Sequence, residues 1–223
     1  MPVSALIYVA DASTVVLCLA GLIGVVRFRR LGLTMRYLVV LTLLAIVITA
    51  ITTALQRQHR PNLFLFPIDT AIEFTLLALM YRRTLREYAF SRYIPALIGV
   101  FLLGTAVTYR PRLDTAEFSP VQHFIEGVVM LAFVFFFFRR EVLRQVVTER
   151  LERDPMFWVS TGVLLYFSGN LLIFLTSNLV LRYSPAISRN VWAVHAMLYA
   201  FLNVFYCVAL SIAPRRTTAA ASA

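Results

Sequence analysis

Residues 120–140, PVQHFIEGVVMLAFVFFFFRR, decide how this chain is read. Between Pro120 and the Arg139-Arg140 pair the run is apolar over close to the ~20 residues that carry a helix through ~30 Å of hydrocarbon. Inside it, however, stand His123 and Glu126, three positions apart and therefore close to one face of a helix. A second run, PIDTAIEFTLLALMYRRTLRE at 67–87, places Glu73 six residues after Pro67, just as Glu126 follows Pro120 by six. Polar groups wanted at one depth of a lipid-embedded bundle would give this pattern.

The rest of the chain fits that environment. Hydrophobic residues make up 60% and charged residues 14%, with a mean hydropathy of +0.79, against about a quarter charged in soluble domains. Cutting at the charges leaves apolar runs at 5–26, 37–56, 62–81, 93–109, 118–138, 156–181 and 190–213. Seven transmembrane helices are expected, the fourth being the shortest and interrupted early by Pro95. A β-barrel is disfavoured, because its strands alternate in polarity over about ten residues and these runs do not. The fold expected is an all-α, seven-transmembrane-helix bundle over 1–213, followed by a disordered tail at 214–223.

All 21 basic residues are arginine. Fifteen fall in the segments after spans 1, 3, 5 and 7, and six on the opposite side. The positive-inside rule then puts the N-terminus outside and the C-terminus in the cytoplasm of a multi-pass membrane protein. The net charge of +10 is accordingly a contact with the anionic leaflet rather than a nucleic-acid footprint. Without lysine there is no Schiff base, so retinal is excluded as a cofactor. The first span has neither a basic start nor a small-residue cleavage site and reads as retained. Cys18 and Cys207 fall within spans, as small apolar fillers.

The segment RREVLRQVVTERLERDP at 139–155 carries apolar residues between charges and is expected to continue span 5 as a cytoplasmic helix up to Pro155. It could equally lie on the lipid surface or dock a partner. Spans 3 and 5 also resemble each other. Each has a proline, a glutamate six residues on and a terminal Arg-Arg pair, although matching them requires a four-residue shift between glutamate and arginines. If they are repeats they run parallel.

Helical-wheel reasoning extends the polar set. Asp69 shares a face with Glu73. In span 6, Tyr166, Asn170 and Ser177 fall within about 40° of one another. In span 7, His195, Tyr199 and Asn203 recur at every fourth position. Asp11 lies near the outer end of span 1, and His59 reads as interfacial. Because polar groups facing lipid cost several kcal/mol each, these stripes are expected to converge from spans 3, 5, 6 and 7 on a cavity in the outer half. Asp69, Glu73, His123, Glu126, Tyr166, Asn170, His195, Tyr199 and Asn203 are the candidate ligand-binding residues.

Three readings of that set stand side by side. Glu73 and Glu126 could be interhelical glue, protonated or hydrogen-bonded to Tyr and Asn on neighbouring helices. They could line a small-ligand pocket. Or His123, Glu126, Glu73 and His195, with Asp69, could hold a metal, though His-x-x-Glu is a weak motif and His-Glu-x-x-His is missing.

The segments PNLFLFPIDTAIEFTLLALMYRR, FWVSTGVLLYFSGNLLIFLTSN and WAVHAMLYAFLNVFYCVAL resemble an uncharacterised family of seven-helix bacterial membrane proteins of the Bacteroidota type, which often accompany sensor histidine kinases. The recurring positions of that family fall on Asn62, Glu73, Tyr166, Ser168, Gly169, Asn170, His195 and Asn203. The resemblance implies a signalling role and no particular ligand. Taken together, the expectation is a receptor-like, non-enzymatic membrane protein in which a small molecule or proton in the cavity signals to a cytoplasmic partner such as a histidine kinase. A proton-coupled secondary transporter is the alternative, and an intramembrane metal-dependent hydrolase the third.

Overall fold

The computed structural model describes residues 3–109, 120–144, 151–183 and 185–214. Over the described residues it is all-helical, with seven α-helices: α1 Val3–Arg27, α2 Leu33–Arg57, α3 Phe66–Thr84, α4 Ile94–Thr108, α5 Pro120–Arg144, α6 Pro155–Tyr183 and α7 Pro185–Ile212. Among the described residues, six of them, α1 to α5 and α7, contain stretches long and apolar enough to cross a bilayer. The protein is thus a multi-pass membrane protein on length and composition.

Proline punctuates the starts. Pro67, Pro95, Pro120, Pro155 and Pro185 all lie in the first turn of their helices, where the missing N–H has no intrahelical acceptor to lose. Pro95 therefore begins α4 instead of interrupting it. A 3-10 turn, Ala89–Tyr93, precedes α4 and lengthens its apolar stretch to Ala89–Thr108. At α6, the Asp154 carboxylate accepts a 2.8 Å hydrogen bond from the Met156 N–H, capping the helix start.

Six helices close into a ring in the order α1, α2, α3, α5, α6, α7 and back to α1, with α4 outside it against α3. The stacked rings of Phe74 and Phe101, 3.9 Å between centroids, attach α4. Its other face, with Val100, Leu103 and Val107, is exposed to the hydrocarbon side. Glycines set the closest approaches in the ring. A Cβ on Gly24 would lie 2.8 Å from Val39, and one on Gly162 would lie 2.9 Å from the Cβ of Phe205, so α1 on α2 and α6 on α7 depend on bare backbone.

Arginine fastens the end at which α1 and α7 finish. The Arg27 guanidinium donates to the carbonyls of Leu210, at 2.7 Å, of Ala213, at 2.8 Å, and of Ser211, which are the orphan acceptors at the end of α7. Arg140 donates to the Thr84 carbonyl at the end of α3, pairs with Glu141 at 2.5 Å and lies over the Phe137 ring. Phe136 packs beside it with Tyr88 and Phe90. Helix α5 runs on to Arg144 and a separate 3-10 turn spans Leu151–Arg153. The middle of the expected extension, 145–150, and the tail from 215 lie outside the described residues.

The C-terminus of α2 turns on His59, whose φ of 54° is left-handed. The Arg60 N–H donates to the Leu55 carbonyl at 2.9 Å and the His59 N–H to that of Gln56 at 3.0 Å, the paired bonds of a Schellman ending. A side chain in this region costs about 1 kcal/mol. His59→Gly is expected to raise the unfolding midpoint in mild detergent by about 2–4 °C, a gain that would be missing if the turn were otherwise built.

Candidate functional site

On the ring axis lies a cavity of about 180 Å³. Helix α3 contributes Asp69, Thr70 and Glu73, with Phe66 at its start, and α5 contributes His123. Helix α6 supplies Tyr166, and α7 supplies His195, Tyr199, Leu202, Asn203 and Tyr206. On α3 and α7 these positions fall at helical spacing along one stripe. Of the nine residues expected from sequence, seven line the cavity. The other two, Glu126 and Asn170, are buried at 1% and 0% exposure without belonging to its wall.

Sequence reasoning missed α2. Leu41, Thr42, Ala45, Ile48, Thr49, Thr52 and Thr53 form a whole wall, with Leu17 of α1 beside it. A signal was present, since Thr42, Thr49, Thr52 and Thr53 recur at helical spacing. Elsewhere in the bundle Thr75, Thr84, Thr105 and Thr161 return their hydroxyls to the carbonyl four residues earlier at 2.7–2.9 Å, the usual way to satisfy a hydroxyl in lipid. The side-chain hydroxyls of Thr49, Thr52 and Thr53 make no hydrogen bond to a described residue, so they are available to whatever the cavity holds.

The imidazoles are held by neighbouring helices. His123 Nε2 is 2.8 Å from Thr70 Oγ1, which is also 2.9 Å from the Phe66 carbonyl. The hydroxyl has one proton, so when it is donated to Phe66, His123 Nε2 must be the donor to Thr70. His195 Nδ1 donates to Asn170 Oδ1 at 2.8 Å, which fixes the ring between α7 and α6. Asn203 donates to the Tyr199 carbonyl at 2.8 Å. Tyr206 Oη, at the cavity wall, and Asn170 Nδ2 are buried and have no hydrogen-bond partner among the described residues.

The three carboxyls differ from the imidazoles. Asp69 and Glu73 are one turn apart on α3, and Glu126 stands on the neighbouring helix α5. The contact of Thr70 with His123 sets α3 and α5 in register at a separation of 53, the same separation as Glu73 from Glu126, so the matched depth expected from sequence is realised. None of the three carboxyls makes a hydrogen bond to a described residue, and Glu126 Oε1 is buried without a partner. Among the described residues, the hydrogen bonds to Tyr or Asn that one form of the glue reading uses are absent.

Other expected positions fall elsewhere. Asp11 and His59 are exposed. Asn62 reaches the Thr52 carbonyl only at 3.5 Å, and Ser168 returns its hydroxyl to Leu164. Gly169 lies against Leu198, where a Cβ would come within 2.5 Å, so this glycine serves packing. The Ser177 side chain lies outside the described residues. Among the described residues no three His, Cys, Asp or Glu side chains converge as a metal requires, which leaves the set His123, Glu126, Glu73 and His195 without ligand geometry.

Comparisons of the chain with protein-family models, with curated proteins and with solved structures give no match.

Proposed function

We propose that the protein is a seven-span receptor-like component of a bacterial inner membrane, N-terminus outside, whose cavity takes a small polar solute. The observation that carries this reading is the conjunction of two lining carboxyls and three lining threonine hydroxyls, none with a hydrogen-bond partner among the described residues, in a cavity lined by six helices. Polar groups at membrane depth are expensive unless they serve a site. A volume of about 180 Å³ is roughly six waters' worth, below the range of drug-sized pockets. Carboxyls facing hydroxyls and imidazoles favour a compact solute that is cationic or rich in hydrogen-bond donors.

Signal output in this proposal passes to a cytoplasmic partner such as a histidine kinase, in keeping with the family resemblance. The surface for it is the segment 139–155, less Arg140, which is committed to Thr84 and Glu141. Deleting 144–153 should therefore remove the partner's response while leaving solute binding intact.

The test is native mass spectrometry of the protein released from its membrane in mild detergent, beside Glu73→Gln. The expected result is a small non-metal adduct on the wild type that is absent from the folded variant. A bare wild-type mass that matches the variant would sink the receptor reading, and a bound metal mass would favour the hydrolase. The secondary-transporter alternative predicts proton-driven flux in proteoliposomes. The uninterrupted course of α1 to α5 weighs against it, because many transporters break their helices at the substrate.

A further inference from the structure

A second void lies outside the ring, between α1 and α2, at the end of the bundle away from the clustered arginines. It encloses about 460 Å³ between Thr14 and Cys18 on α1 and Ile46, Ala50, Ala54 and Arg57 on α2. The two helices touch closely at the other end, where a Cβ on Gly24 would meet Val39 and one on Gly21 would meet Ile46 at 2.6 Å. Beyond that contact they part, and the groove fills the gap.

Its dimensions and chemistry match one kind of occupant. From Ile46 to Arg57 it runs eleven residues of helix, about 16 Å at the helical rise, close to the ~15 Å depth of hydrocarbon in one leaflet. Leu17, Ile46, Ala50 and Ala54 give it an aliphatic floor, Thr49 and Thr53 lie on the side it shares with the central cavity, and Thr14 hides its hydroxyl by bonding to the Ala10 carbonyl at 3.0 Å. Its mouth is polar, formed by Arg57 and Gln58. Arg57 is exposed and makes no ion pair or hydrogen bond with a described residue. The one acid of α1, Asp11, is exposed and forms no ion pair with it.

We propose that this groove is a specific site for an anionic phospholipid of the surrounding bilayer, its phosphate against Arg57 and Gln58 and one acyl chain along α1 and α2. Leu17, Thr49 and Thr53 border both the groove and the central cavity. Leu17 is 1% exposed and forms the partition. The lipid thus lies one side chain away from the polar cavity, so membrane composition has direct access to its wall. The site stands independently of what the cavity binds.

The test uses the full chain in phosphatidylcholine nanodiscs containing phosphatidylglycerol or phosphatidylcholine with a photoactivatable diazirine on the acyl chain, at equal mole fraction. Crosslinked peptides are quantified by mass spectrometry. Peptides carrying Thr14, Cys18, Ile46 and Ala50 should be labelled several-fold more by phosphatidylglycerol than by phosphatidylcholine. The face of α4 with Val100, Leu103 and Val107 should be labelled equally by both. Arg57→Gln should abolish the preference and Arg57→Lys should restore most of it. Ala50→Phe, which fills the groove, should lower labelling by either lipid on α1 and α2 alone. Equal labelling of α1 and α2 by the two lipids, or a preference untouched by Arg57→Gln, would overturn the proposal.

Discussion

Gly162→Leu is expected to give the largest loss of stability of any single substitution in the bundle, about 3 kcal/mol or more. A Cβ at that position would lie 2.9 Å from the Cβ of Phe205 and 3.3 Å from a methyl of Leu202. The nearer atom is fixed to the α7 backbone and cannot swing away as a side-chain tip can. Accommodating a whole leucine means moving α6 off α7, with loss of the packing around Val163, Leu202 and Tyr206. The control is Gly104→Leu, on the outer helix α4, where a Cβ would meet nothing within 4 Å. Thermal unfolding in detergent should separate the two by many degrees. Similar midpoints would mean that α6 and α7 do not approach as described.

The second large effect has the opposite sign. Glu126→Leu is expected to stabilise the protein by about 1–3 kcal/mol, because it removes a buried carboxyl that lacks hydrogen bonds while nearly preserving volume. It should also diminish solute binding, since Glu126 lies behind the wall to which Asp69 and Glu73 belong. A group kept against stability is one retained for function. If Glu126→Leu instead lowers the midpoint, the carboxyl is holding helices together and the glue reading returns.

Hydropathy alone locates the seven helices, because a lipid-facing surface leaves long apolar runs and each proline marks a first turn. The stripes of α3 and α7 were also legible, since polar residues three and four apart stand out against leucine and phenylalanine. Neighbour relations were not. Nothing in the run at 94–108 says that it lies outside a ring, although its lack of charged residues is consistent with that place. The α2 wall escaped because threonine is ambivalent: bonded to its own helix it behaves as an apolar residue, and only the structure shows that Thr49, Thr52 and Thr53 do not bond that way. Glu126 was placed at the right depth but turned toward the wrong surface, as a rotation of a few tens of degrees moves a side chain from a cavity wall to the packing behind it. The arginines carried two messages at once. Their bias reads as orientation, while Arg27 and Arg140 also satisfy helix-end carbonyls, a use that becomes visible only when the chain's distant ends are side by side.

The closure of the ring by α1 against α7 has a bearing on how the protein is made. Arg27 reaches carbonyls 183 to 186 residues further along the chain, so this seam forms only when the last helix has left the ribosome and entered the bilayer. Until then Thr49, Asp69 and Glu73 border an open trough filled with lipid tails, at a cost that falls on the nascent chain. Biogenesis should therefore stall in one identifiable state, a six-helix intermediate. A chain truncated before Pro185 should be the form that membrane quality-control proteases remove.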